Sequence, residues 1–207
     1  MTISPQSSRV TILVKALPQP SKQYGETVCC AGVTQEGKWK RLFPIRFRHL
    51  QGDQSFSRWD WVSFKYRIPT RDKREESCHV FEDSINVDDE FPKRERSRFL
   101  NRLIVGSANE AMTTGQSLAL IRPINTKFIC KAKSALDIEE EKEAYRISAQ
   151  QDSFFDQKLA DLEPSPYEFR FSFEDKNGKH NYQNGDWETH AMFFLERHRT
   201  ASIEMVG

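Results

Sequence analysis

The stretch of residues 38–74 combines two side-chain types with a shared chemistry. It contains eleven Lys and Arg residues against three acids, a local balance of +8 in a chain whose formal net charge is +1. It also contains eight aromatic residues, including three of the four tryptophans. Basic side chains neutralise phosphates and aromatic rings stack on bases. The composition therefore predicts a surface that binds nucleic acid, either DNA or RNA.

Within this stretch, residues 59–68 (WDWVSFKYRI) alternate between two faces. A strand that buries Val62, Phe64, Tyr66 and Ile68 presents the intervening side chains outward, so that two tryptophans and two cations form a stacking surface. The alternative is that a helix or loop covers the tryptophans. The predicted nucleic-acid-binding residues are Lys40, Arg41, Arg46, Arg48, Trp59, Trp61, Lys65, Arg67 and Arg71.

Two groups of residues suggest catalysis, and the sequence argues against both. The first group could hold a divalent ion for phosphodiester hydrolysis and comprises His180, Asp186, Glu188 and His190. On a helix, however, Asp186 and Glu188 lie about 200° apart, and Asp186 is better explained as an N-cap. The second group is Cys29 or Cys30 as a thiol nucleophile, which a buried strand disfavours. We expect no catalytic residue, no metal and no cofactor.

The elements that position these residues follow from hydrophobic periodicity and from Pro and Gly breaks. Strands are predicted at 9–16, 27–34, 38–43, 59–68, 75–81, 117–123, 126–132, 167–173 and 180–183. Helices are predicted at 93–105, 107–114, 138–150, 154–162 and 187–198. Residues 83–91 are predicted to form an acidic loop. In the strand at 167–173 (YEFRFSF), four aromatic residues share one face, which we expect to point inward.

Many short strands with few helices predict an α+β fold. We expect a curved antiparallel sheet or a small open β-barrel, similar in size to OB-like and PUA-like modules, with two or three flanking helices. Residues 1–207 are expected to form a single domain with a loose arm at 1–8. The composition of residues 134–151 leaves room for a minor subdivision there.

Charge and cysteine content indicate the compartment and the kind of partner. Two acidic segments, 75–95 and 137–175, balance the basic stretch, as expected for a nucleic-acid face with an acidic far side. A self-associating or partner-binding domain would show the same asymmetry. The four cysteines form no C-x-x-C pair, and we expect them to be reduced. Without a signal peptide or an apolar run long enough to span a bilayer, we expect a cytoplasmic protein with no membrane partner.

Five segments resemble blocks of a prokaryotic family of uncharacterised proteins. They are PSKQYGETVCCAG (20–32), LFPIRFRHL (42–50), RDKREES (71–77), PYEFRFSF (166–173) and GDWE (185–188). The resemblance covers most of the chain and implies a cytosolic protein of prokaryotic or phage-type origin. It implies no activity, because the family has no assigned function.

Three hypotheses for the function follow. The first is a non-catalytic nucleic-acid-binding module that uses the basic and aromatic strand surface. The second is a protein–protein interaction subunit, in a homo-oligomer or in a larger antiviral defence or mobile-element assembly, with Trp and Arg as interface anchors. The third is a metal-dependent nuclease.

Overall fold

A closed five-stranded β-barrel forms the first half of the protein. The computed structural model describes residues 4–21, 25–50, 52–152 and 163–206. The barrel strands are β1 (Gln6–Lys15), β3 (Gly25–Val33), β4 (Trp39–Ile45), β5 (Asp60–Arg67) and β6 (Ser77–Glu90), and a short strand β2 (Gln19–Ser21) pairs with β3 outside the barrel. Because β1 begins at Gln6 and pairs with β5 from its first residue, the expected loose arm at 1–8 is wrong for residues 6–8.

The strand order around the barrel is β1-β5-β6-β4-β3, and pairing of β3 with β1 closes it. Four of the five pairings are antiparallel, whereas β4 and β6 run parallel. The predicted α+β fold with a small barrel is confirmed. The barrel is closed, and one parallel pairing makes it mixed.

Alternating apolar residues from all five strands fill the barrel. Residues with 0–1% exposure include Val10, Ile12, Cys30, Leu42, Val62 and Cys78. On β5, Val62, Phe64 and Tyr66 are buried as predicted, whereas Ile68 lies beyond the strand and is 59% exposed.

Strand β6 is longer than the sequence indicates. It has 14 residues and includes most of the segment predicted as an acidic loop, residues 83–91. Ile85 is buried in the barrel core and Val87 packs against it, while Asp88 and Asp89 stay exposed. The acidic residues thus occupy the outer side of a strand, because the inward positions are apolar.

The second half contains a smaller sheet and most of the helices. After α1 (Lys93–Asn101), β7 (Ile104–Val105) pairs with β8 (Leu120–Ile121) around α2 (Ala108–Thr113). A three-stranded antiparallel sheet has the order β11-β10-β9, with β9 (Ile124–Ala132), β10 (Tyr167–Asp175) and β11 (Gly178–Gln183). The remaining helices are α3 (Ala135–Asp152) and α4 (Trp187–Val206). Among the residues with described positions, no helix is long and apolar enough to cross a membrane.

Several elements of the second half match the sequence only in part. On β10, Phe169 and Phe173 are buried as predicted, but Tyr167 and Phe171 are 36% and 38% exposed. Helix α3 spans nearly all of residues 134–151, the segment at which we expect a minor subdivision to be possible. The helix predicted at 154–162 lies outside the described residues.

Candidate nucleic-acid interface

The two tryptophans predicted to form an outward stacking surface lie in a second core instead. Trp61 is only 6% exposed, and its ring centroid lies 5.5 Å from Phe91 and 6.5 Å from Phe99 of α1. Trp59 is half-buried and packs beside Phe91 at 6.4 Å. Trp61 therefore lies on the outer face of β5, opposite the barrel core, but the expected exposure of its ring is wrong because helix α1 covers this end of the strand. The alternative prediction, that a helix or loop covers the tryptophans, describes the structure.

The backbone explains why Trp59 leaves the alternation. Trp59 precedes β5 and has a φ of 77°, a conformation that a bulky residue rarely adopts. Cation–π contacts do form, but with other partners than Lys65 and Arg67. The Arg96 guanidinium lies 4.5 Å from the Trp59 ring, and that of Arg9 lies 4.6 Å from Trp61. Both arginines also pair with acids of β6, so these stacks stabilise the fold.

The other end of β5 remains open on its outer side. Lys65 and Arg67 are exposed there, as predicted from the alternation. Helix α1 contacts β5 at Trp61, whereas Lys65 and Arg67 alternate with the buried residues Phe64 and Tyr66 and so point away from the barrel core. This half of the predicted surface is present.

Neighbouring strands add two aromatic rings that the sequence reasoning missed. Phe43 of β4 is paired with His79 of β6, which in turn is paired with Arg67 of β5. One row further, Phe81 of β6 is paired with Lys65. Side chains at paired positions share one side of a sheet. Phe43 and Phe81 are each 39% exposed. We call these five residues, Phe43, Lys65, Arg67, His79 and Phe81, the basic-aromatic face.

His79 lies at the centre of the basic-aromatic face. Its Nε2 is 3.3 Å from the Arg67 guanidinium, and its ring lies 6.5 Å from Phe81 in an edge-to-face arrangement. Partial burial and the Arg67 charge lower the pKa of His79 below its ordinary value of 6.5. His79 is therefore neutral near pH 7 and orders the face without adding charge.

The other predicted cations differ in how far they are free to bind phosphate. Arg46 is held by Glu82, with 2.7 Å between Nε and Oε2. The Lys40 ammonium lies over the Tyr66 ring at 5.1 Å and donates to its hydroxyl, so it is turned toward the barrel. Arg71 is exposed in the loop between β5 and β6. Arg48 lies in a 3-10 turn, Phe47–His49, and its side chain is outside the described residues.

Arg41 belongs to a polar cluster on the outer side of β4. Its guanidinium donates to the Ser117 hydroxyl at 2.8 Å and approaches the Cys29 sulfur at 3.6 Å. Ser117 in turn donates to the buried carboxylate of Glu76. The neighbouring Cys30 lies inside the barrel, where burial raises the pKa of its thiol far above the ordinary value. Arg41 thus links the barrel to the segment before β8, and Cys30 is an unsuitable nucleophile.

The residues considered for a metal site have separate partners. His180 contacts Asp175 at 2.9 Å, and the His190 ring lies beside Phe169 at 4.9 Å. Asp186 accepts from the backbone amides of Glu188 and Thr189, which confirms its predicted N-cap role on α4. No cluster of three or more metal-ligating side chains occurs in the part of the chain that the structure describes.

Asp186 and Glu188 bind one arginine of the barrel instead of a metal. Arg58 reaches Asp186 at 2.6 Å and Glu188 at 3.2 Å, and Glu188 also lies 3.7 Å from Lys15. A backbone hydrogen bond from Leu17 to Gly185 reinforces this connection. The ion pairs of Arg58 with Asp186 and Glu188 therefore join the start of α4 to the barrel and stabilise the fold.

Comparison with known proteins finds a similarity between the barrel segment and a domain that has no assigned function. Residues 6–104 match the model of a family described as Domain of unknown function (DUF8758). This match confirms the resemblance to an uncharacterised family, and its range contains all five barrel strands and the basic-aromatic face. Comparisons with curated proteins and with solved structures give no significant match.

Proposed function

We propose that the protein is a non-catalytic nucleic-acid-binding module and that the basic-aromatic face is its binding surface. The observation that carries the proposal is the strand register, which brings Phe43 and Phe81 beside Lys65 and Arg67 on three adjacent strands. Exposed rings stack on bases, and nearby cations contact the phosphates that connect them. Unpaired bases have accessible faces, so single-stranded DNA or RNA is the form that suits this surface best.

The pattern of ion pairs supports the same location. Arg46, Arg58 and Arg74 belong to the basic stretch, but each is paired with a carboxylate. The Arg74 guanidinium donates two hydrogen bonds to Asp72 and holds the pKa of that carboxyl well below its ordinary value. Among the described residues, Lys65, Arg67 and Arg71 form no ion pair with an acidic side chain. Their charges are available to phosphates; Lys65 and Arg67 belong to the basic-aromatic face, and Arg71 lies in the loop that follows β5.

The compartment that we propose is the cytoplasm. The four cysteines are free, and two of them, Cys30 and Cys78, lie inside the barrel. Free thiols are stable under reducing conditions, where a nucleic-acid partner is also present.

Binding of a labelled single-stranded oligonucleotide, followed by fluorescence anisotropy at low salt, tests the proposal. We expect saturable binding by the protein and strong weakening in the double variant Lys65→Glu/Arg67→Glu. Arg46→Gln is the matched control, because Arg46 is paired with Glu82. Absence of wild-type binding at low salt would refute the proposal. Light scattering after nuclease treatment adds a second readout, since a stable oligomer free of nucleic acid would favour the protein-interaction hypothesis.

A further inference from the structure

A second concave site lies in the other half of the protein, and none of its lining residues belongs to the basic-aromatic face. It is a cleft of about 600 Å³ between the three-stranded sheet and the segment that contains α2 and β8. Cavities of about 300–1,000 Å³ are typical of small-molecule sites. The size of the cleft therefore fits a small ligand.

The floor of the cleft is a row of aromatic rings. Phe171 of β10 is paired with Tyr182 of β11, and both line the cleft together with Phe173 of β10. The ring centroids of Phe173 and Tyr182 are 5.4 Å apart. Phe171 and Tyr182 are 38% and 48% exposed. Phe128 of β9 lies beside the floor, with its ring centroid 5.2 Å from that of Phe171. Adjacent exposed rings form an apolar patch of the kind that marks a binding site.

The remaining walls are apolar as well. Met112 of α2 is 72% exposed, and Leu120 and Ile121 of β8 and Pro123 line the opposite wall. None of the lining residues is Lys, Arg, His, Asp or Glu. The hydroxyls of Thr126 and Tyr182 and the amide of Gln116 are among the few polar groups at the cleft. An ionised ligand would lose its hydration here without gaining a charged partner.

Two polar contacts hold the two sides of the cleft together. Asp175, the last residue of the floor strand β10, accepts a hydrogen bond from the backbone amide of Ala108 at the start of α2, at 2.9 Å. Lys176 pairs with Glu110 of α2 at 2.6 Å. The cleft therefore has a defined width before any ligand enters.

We propose that this cleft binds an uncharged small molecule that contains a planar ring system. The ring stacks on Phe171 and its neighbours, and the apolar walls enclose it. A single polar substituent on the ligand reaches the hydroxyl of Thr126 or Tyr182. The cleft is concave and of small-molecule size, so a ligand fills it better than the flat surface of a second copy of the chain.

Titration with N-phenyl-1-naphthylamine, an uncharged probe whose fluorescence rises in apolar surroundings, tests this site. Ala119 is exposed and lines the cleft, so Ala119→Trp fills it without disturbing a buried position. Phe171→Ala removes the centre of the floor. Ile129→Ala is the matched control, because Ile129 lies on β9 one residue from Phe128 and faces the opposite side of the sheet. Circular dichroism verifies that each variant is folded.

We expect saturable binding of one probe per chain. Ala119→Trp and Phe171→Ala should each weaken it by about tenfold or more, and Ile129→Ala by less than about twofold. No saturable binding by the folded wild-type protein would overturn the proposal, and so would equal weakening in the control. Light scattering that shows a dimer whose dissociation is required for probe binding would also overturn it, since a second copy would then occupy the cleft.

Discussion

The three exposed cations beside the barrel set a quantitative expectation for the salt dependence of binding. Each neutralised phosphate of a single strand contributes about 0.7 to the slope of log affinity against log salt. If Lys65, Arg67 and Arg71 each contact one phosphate, the slope is about −2, and raising the salt from about 50 to 200 mM weakens binding about 20-fold. In Lys65→Gln/Arg67→Gln one contact remains, so the slope is about −0.7 and the loss is about threefold.

Anisotropy titrations of a labelled oligonucleotide at four or more salt concentrations measure both slopes. Arg46→Gln serves as the control, because Glu82 already neutralises this arginine, and its slope should equal that of the wild type. An unchanged slope in Lys65→Gln/Arg67→Gln, or a flattened slope in Arg46→Gln, would refute the assignment of the phosphate contacts.

Three further predictions concern the fold that supports the face. Trp61→Ala should lower the free energy of unfolding, measured in urea titrations, by about 3–5 kcal/mol. The folded variant should bind the oligonucleotide as the wild type does. Weaker binding without a loss of stability would instead indicate that Trp61 stacks on a base. Burial lowers the pKa of His79 and His190 below 6.5, so the unfolded state binds more protons than the folded state just below pH 6.5. The free energy of unfolding should therefore fall as the pH drops below 6.5. The same dependence of this free energy on pH in His79→Gln/His190→Gln would contradict the prediction. A thiol reagent should modify Cys29 and Cys130 quickly in the native protein, and Cys30 and Cys78 only on unfolding. Burial raises the pKa of Cys78 to about 11 and shields Cys30 from the reagent. Fast modification of all four cysteines would contradict this prediction.

The barrel was largely predictable because its signals are local. Alternation identified β5, as it did β10 in the three-stranded sheet, and the turn at 35–37 identified the β3–β4 hairpin. The acidic run at 83–91 obscured the second half of β6, since acidic residues are rare in strands. The parallel β4–β6 pairing was not predictable, because it joins strands that are distant in sequence. Closure was not predictable either, because β1 must pair with the distant strand β5 as well as with β3.

The candidate site was predictable only on one strand. Alternation correctly placed Lys65, Arg67 and Trp61 on the outer face of β5. It could not show that helix α1 covers the end of the strand at which Trp61 lies. Phe43 and Phe81 join the face through the pairings of β6 with β4 and with β5, which no sequence period encodes. Ion pairing was equally hidden, since Arg46 meets Glu82 from 36 residues away.

Ultraviolet cross-linking of the protein to a single-stranded oligonucleotide, followed by mass spectrometry of the peptides, tests the central claim most directly. Aromatic side chains that stack on bases form such cross-links. We expect cross-links at Phe43 and Phe81, which are exposed on the basic-aromatic face. Cross-links confined to Trp59 and Trp61, or to peptides of the second half of the chain, would contradict the proposed surface.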